Sequence, residues 1–331
     1  MFEEVRYREI RWLWANGENY MKLFLSMAGP LARLTGALMI GSALTTGGMA
    51  ADLPDYVAPE AAAPDMQQVS GTVALFGAYT LADGDGFDGD GWLLGGDAKA
   101  NVWLTPSVST QFDLRGEAGR YSEDDGGGTQ SESRVNFTAG GHLTWRNPEM
   151  YALGVFGGIS GGSILDEVGD ETRYFIGLEG QYYLNDITLY GQVGFSDIIE
   201  GDDDHSEMTE AWFARGVARW FVTANDKIEG EFGYYYSDDI VTGGQGPVTN
   251  YNWGALYEHR FMTSPFSAYV EYDGLSRDDD SHGDDGVVEH IFMVGARIHF
   301  GQPDLKTADR YGATLDLPDV IRTENWADIA H

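Results

Sequence analysis

The chain contains no cysteine among its 331 residues. A disulfide framework is therefore excluded, and an exported fold would have to close its own hydrogen bonds without covalent staples. Cations are scarce as well: 20 Lys and Arg stand against 53 Asp and Glu, a formal charge of −33. So few cations argue against nucleic acid as a partner, because phosphates need Lys and Arg to neutralise them. Long apolar runs are also missing. The stretch from Leu34 to Leu44 falls short of the roughly 20 residues that a helix needs to cross a bilayer.

What is present points to β structure. Forty-five glycines and 13% aromatics suit strands joined by tight turns better than helices. High charge ordinarily signals disorder. Here the acids cluster in short runs between patterned apolar segments, which is the layout of a folded chain with acidic loops.

The N-terminus reads as targeting sequence. Lys22 and Arg33 precede the apolar stretch, and Gly48-Met49-Ala50 offers small residues to a signal peptidase, so cleavage is expected after Ala50. Residues 1–20 do not fit such a signal and read as an upstream extension, with Met21 or Met27 as the start. Residues 1–50 are thus extension plus signal, and the Ala/Pro-rich segment 51–67 is expected to be a periplasmic linker.

From Val69 onward, side chains alternate with a period of two. Phe112, Leu114 and Ala118 fall on one face, and Gln111, Asp113, Arg115 and Glu117 on the other. Ile187–Ser196 and Lys227–Ser237 repeat the pattern. Twelve strands are expected, at roughly 68–81, 90–104, 107–122, 131–145, 149–160, 170–183, 186–199, 208–222, 225–239, 249–260, 265–277 and 286–300. Short turns such as Thr105-Pro106 and Arg146-Asn147-Pro148 alternate with longer acidic or Gly-rich loops. That alternation predicts an all-β, transmembrane, up-and-down antiparallel β-barrel over 68–300, with both ends on the turn side.

A soluble barrel would turn its apolar face inward. Three features favour lipid instead. The strands exceed the about 9–11 residues needed to span a bilayer. The apolar face carries aromatics near both strand ends: Tyr79, Trp92, Tyr174, Trp212, Tyr251 and Tyr272 towards the loops, and Trp145, Tyr151, Trp220, Phe266 and Phe300 towards the turns. A closed barrel also satisfies every backbone group in lipid.

The segment Val288–Phe300, with Gly295, Ile298 and Phe300 at the matching positions, resembles the terminal strand of Gram-negative outer-membrane β-barrels. The resemblance implies recognition by the barrel-assembly machinery and a bacterial outer-membrane location. The start Ala51-Asp52-Leu53-Pro54 after a small-residue cleavage site is similar to porin-like barrels of alphaproteobacteria. The chain departs from that pattern by continuing past Phe300, and residues 301–331 are expected to form a periplasmic tail.

Turning the polar face inward lines the lumen with both signs. Asp97, Lys99, Asp113, Arg115 and Glu117 come from the second and third strands, Arg134 from the fourth, and Arg173 and Glu179 from the sixth. Arg215, Arg219, Lys227, Glu229 and Glu231 follow, and then Glu258, Arg260, Glu271, Asp273, Glu289 and Arg297. These are the pore candidates. No inserted loop is long enough to serve as a plug, and a barrel of this size encloses more space than an eight-stranded one. The expected function is a narrow passive pore for small hydrophilic solutes or ions. The alternative is a structural barrel with a salt-bridged closed lumen, its acidic loops bridged to lipopolysaccharide by divalent cations.

Asp202, Asp204, Asp278, Asp280 and Asp284 are weak candidates for Ca²⁺ or Mg²⁺, but runs of like charge are usually just solvated. No other cofactor is expected. No catalytic residue is expected either. His142, His259, His290 and His299 lie on strands without a Ser two residues on, and the Asp204/His205 and His282/Asp284 neighbours need no catalytic explanation in acidic loops.

Overall fold

In the computed structural model the described residues are 68–84, 87–124, 129–164, 169–200, 208–240, 247–279 and 287–320. The expected signal and linker over 1–67, the metal candidates Asp202, Asp204, Asp280 and Asp284, the side chain of Asp278 and residues 321–331 lie outside them.

Twelve strands form one closed antiparallel barrel. They are β1 (Val69–Gly84), β2 (Phe87–Thr105), β3 (Val108–Asp124), β4 (Thr129–Asn147), β5 (Tyr151–Ile164), β6 (Gly169–Leu184), β7 (Ile187–Glu200), β9 (Ala211–Thr223), β10 (Asp226–Ser237), β12 (Val248–Arg260), β13 (Phe266–Asp279) and β14 (Val287–Phe300). Each pairs with its neighbour in the chain, and β1 closes on β14 with Gly71 opposite Phe300 and Asp83 opposite Val288. Closure leaves the barrel sheet itself without an edge strand.

The two remaining strands show where the sequence pattern runs on too far. The expected strand 208–222 divides into β8 (Met208–Thr209) and β9, broken at Glu210, whose φ is +50°. Likewise β11 (Asp239–Ile240) separates from β10 and pairs with β8 as a small ribbon outside the barrel sheet.

The wall is apolar outside and polar inside. Leu75, Leu94, Ile176, Leu178, Trp212 and Val294 are all more than half exposed on the outer face. Gln111, Arg146, Arg173, Asn250 and Glu258 are fully buried on the inner one. Water would penalise the first set and hydrocarbon the second, so this inversion suits a wall with lipid around it.

Glycines shape the inner face. Phe76 lies over Gly95, Phe156 over Gly177, Phe175 over Gly158, Phe213 over Gly194, Trp253 over Gly274 and Tyr269 over Gly295. In each case the aromatic ring occupies the space that a Cβ on the neighbouring strand would take. The aromatics therefore lie flat against the wall, and the lumen keeps room for something else.

What fills that room corrects the sequence reading. Residues 301–320 do not hang free of the barrel; they turn back and enter it. Gly301 makes the reversal with φ +84°, a conformation open to glycine, and a Cβ there would stand 2.5 Å from the Val69 carbonyl. Helix α1 (Leu305–Tyr311) follows, capped by the Asp304 carboxylate, which accepts from the Thr307 N–H at 2.7 Å. Beyond Gly312 the chain has no regular structure through 319. Pro318 has its φ fixed by its ring and disfavours helical backbone at Leu317. The plug thought absent among the loops is supplied by this strap. The physical reason is plain: Leu315 and Val320 are almost wholly buried, and a solvated tail would have left them in water.

Candidate functional site

The strap is held along one side of the lumen by side chains projecting from β2 to β9. Helix α1 sits at the turn rim. Lys306 donates to Asp186 at 2.6 Å, Arg310 donates to the Asn185 carbonyl, and the Lys306 N–H reaches the Ala224 carbonyl at 3.1 Å. The Lys306 ammonium holds the exposed Asp186 carboxyl below its ordinary pKa.

Above the helix, strap carbonyls are met by wall donors. The Trp103 indole donates to the Tyr311 carbonyl at 2.8 Å, Arg146 to that of Gly312 at 2.8 Å and Arg219 to that of Thr314 at 2.9 Å. Gln111 donates to the Leu315 carbonyl at 2.7 Å, and Gln192 to that of Asp316 at 2.8 Å. An extended segment cannot satisfy its own backbone, so a wall that does so is a built site rather than a chance contact.

Two carboxylates fix the register. Asp309 accepts from Thr188 at 2.6 Å and from Arg219 at 3.1 Å. Asp316 pairs with Lys99, with Arg219 at 2.5 Å and with Arg215 at 3.9 Å. Burial pushes the Asp316 carboxyl up, but Lys99, Arg219 and Arg215 outweigh it and hold the group well below the usual carboxylate range. Leu315 packs with Tyr190 and Val217. Val320 joins Phe156, Phe175, Phe213 and Tyr235, with Leu317 beside them.

Among the described residues, the opposite side of the lumen carries no strap. Between it and the strap lies a cavity of about 240 Å³. Asp97, Asp113, Glu229, Glu231, Glu258, Glu271, Asp273 and Glu289 line it from the wall, and Asp309, Asp316 and Asp319 from the strap. The cations on it are fewer: Lys99, Arg115, Arg215, Arg219, Lys227 and Arg297. Glu258 is the hub of the far wall, bonded by Arg297 at 2.8 Å and Lys227 at 3.3 Å, while Glu229 joins Lys227 to Arg219. Arg215 pairs with Glu231.

The remaining sequence candidates also lie on the inner side, but away from the cavity. Glu117 pairs with Arg115 at 3.2 Å; Arg134 is buried with its guanidinium 5.2 Å from the Tyr121 ring. Arg173 donates to Ser196, and Arg260 to the Ser264 carbonyl. Glu179 accepts from Tyr190 at 2.7 Å and contacts His142 at 2.9 Å. Of the proposed assembly residues, Gly295 receives the Tyr269 ring, Ile298 faces outward and Phe300 lies over Gly71 at the closing seam.

One grouping escaped the sequence. Cross-strand register brings Ser267 to 2.8 Å from the Nε2 of His299, which is 3.1 Å from Glu258. A nucleophile relay needs the base to meet Ser and acid through different ring nitrogens. Here both contacts use Nε2, and Ser267 also donates directly to Glu258 at 2.7 Å. The trio is a hydrogen-bonded cluster without relay geometry. Among the described residues no group of three or more His, Asp or Glu is arranged to hold a metal ion.

No protein-family model matches the chain, and no curated protein matches it. Solved structures do. An outer-membrane channel from Pseudomonas putida F1 is similar over 72% of this chain and 99% of its own, at 15% identity and a TM-score of 0.51. The translocator domain of the autotransporter NalP from Neisseria meningitidis aligns over 70% of this chain and 88% of its own, at 11% identity and a TM-score of 0.47. The β domain of a Bordetella autotransporter covers 70% of this chain and 100% of its own, at 12% identity and a TM-score of 0.44. By fold, the chain is a closed twelve-stranded antiparallel barrel, similar to that of the Pseudomonas outer-membrane channel.

Proposed function

We propose that the protein is a bacterial outer-membrane barrel that passes small ions and hydrophilic solutes, with preference for cations, along the free side of its own strap. The observation that carries this reading is the cavity beside the strap, where eleven carboxylates face six Lys and Arg side chains. In a narrow passage with low-dielectric walls such an excess concentrates counter-ions. The strap reduces a lumen of this strand number to a small bore, which favours ions over larger solutes. The ion-paired side of the lumen supports the second reading, a closed structural barrel. One measurement separates the two: single-channel current of the refolded chain in a planar bilayer under a KCl gradient. The pore reading expects small, cation-preferring steps; a silent bilayer leaves the closed barrel, and chloride preference removes the selectivity claim.

The same reading includes lipid and lipopolysaccharide as contacts, divalent bridging at the acidic loops, and the barrel-assembly machinery acting on Gly295, Ile298 and Phe300. The Ala51-Asp52-Leu53-Pro54 start supports placing the chain with porin-like barrels of alphaproteobacteria. No catalytic role is assigned.

A further inference from the structure

The wall's most complete hold on the strap is on the backbone of Leu315 and Asp316. Gln111 accepts from the Leu315 N–H at 3.1 Å and donates to the Leu315 carbonyl at 2.7 Å. Tyr190 accepts from the Asp316 N–H at 3.4 Å, and Gln192 donates to the Asp316 carbonyl at 2.8 Å. Three side chains thus meet both N–H and both C=O groups of two residues that have no regular structure of their own.

Each of the three is in turn oriented by a buried carboxylate. Gln111 donates to Asp113 at 2.6 Å, and Tyr190 and Gln192 donate to Glu179 at 2.7 and 3.3 Å. These carboxylates, on β3 and β6, converge on one side chain between them. His142 of β4 is 2% exposed, with Nδ1 2.9 Å from Glu179 and Nε2 3.5 Å from Asp113. Among the described residues it is the one ion-pair partner of either carboxylate. Gly154, on the intervening β5, opens the way: a Cβ there would stand 3.2 Å from the Glu179 Oε1 that reaches His142.

We infer that His142 is the positioning residue of the strap, an imidazolium that bridges Asp113 and Glu179. Through Gln111, Tyr190 and Gln192 it sets the geometry in which the wall receives Leu315 and Asp316. A carboxylate accepts and does not donate, so a ring that turns one nitrogen to each of two carboxylates carries a proton on both. The cluster then holds one positive charge against two negative ones, and removing the positive one leaves buried carboxylates repelling each other. This rests on the strap's place in the lumen and not on conduction, so a silent bilayer leaves it standing.

The test uses the full-length, detergent-folded protein. Protease cleavage within 302–320 reports the strap, and compact migration on unheated gels reports the wall. His142→Gln keeps a polar side chain but loses the charge, and should raise cleavage by on the order of ten-fold. Adding Asp113→Asn restores the cluster's net charge and leaves an oxygen for Gln111 to meet, so cleavage should return to near the parent level. Packing of the ring against Phe156, at 5.9 Å between centroids, cannot produce that rescue. Unchanged cleavage in His142→Gln overturns the inference, and so does cleavage that stays high in the double variant. Should the single variant lose the wall, its return in the double variant is the same rescue; loss of the wall in both overturns the inference.

Discussion

The two sides of the lumen differ in what balances their charges. On the strap side, Lys99, Arg146, Arg215 and Arg219 are matched by carboxylates and carbonyls of residues 309–316, and aromatic rings pack against Leu317 and Val320. On the free side, Glu229, Glu258, Lys227 and Arg297 balance one another and face the cavity. The first side uses its charge to hold a segment in place; the second leaves it next to the cavity. Substitutions on the strap side should therefore act on stability and bore, and those on the free side on selectivity.

The sharpest way to break this division is to end the chain after Gly301. The account expects single-channel conductance to rise several-fold with weaker cation preference, since Asp309, Asp316 and Asp319 leave the lumen with the strap. An unchanged conductance would mean that the strap does not limit the bore. Next in size is Arg219→Leu, which removes the guanidinium that Asp309, Asp316 and Glu229 share. Removing one partner of a buried ion cluster costs about 3–5 kcal/mol, and the loss should appear as protease cleavage within 302–320 of the detergent-folded protein. Gly301→Ala follows. Forcing a side chain into positive φ costs on the order of 1–3 kcal/mol, and with its Cβ against Val69 and Ser70 the change should loosen the strap where it leaves the wall, read by the same cleavage. On the free side, Glu271→Gln should leave cleavage unchanged and move the reversal potential towards lower cation preference. The smallest effect is that of pH. The Asp316 carboxyl is held below its usual range, so its contribution is complete above the ordinary value of about 3.9 and fades only as pH falls through the depressed one. Strap protection should be flat across neutral and mildly acidic pH and decline only in strong acid; loss near pH 6 would contradict the pairing.

Much of the wall was legible in the sequence. Alternate side chains of a strand must face opposite ways, so Phe112 against Asp113 or Ile187 against Thr188 sorted outside from inside without any structure. The strap was not legible, because its last part follows neither a helical nor a strand period and its partners lie far away in the chain: Asp316 meets Lys99 and Arg219. Two signals were there to be read. Asp304 and Thr307 cap a helix start, and Leu315, Leu317 and Val320 are too apolar to be left in water. The Ser267–His299–Glu258 cluster was hidden for a different reason, since a search along the chain does not see across a strand pair. The splits at Glu210 and Asp238 arose where alternation ran past the barrel rim.

The central claim is that the strap occupies the lumen, and a paired-cysteine cross-link tests it most directly. A Cβ at Gly140 on the inner wall would stand 3.0 Å from the Leu317 side chain. In this cysteine-free chain, Gly140→Cys with Leu317→Cys should therefore be joined by a short bismaleimide or by oxidation. Ser109→Cys with Thr144→Cys, whose hydroxyls lie 2.9 Å apart across β3 and β4, reports that the wall has folded. The account predicts cross-linking of both pairs in the folded protein; a linked wall pair with an unlinked Gly140/Leu317 pair would contradict it.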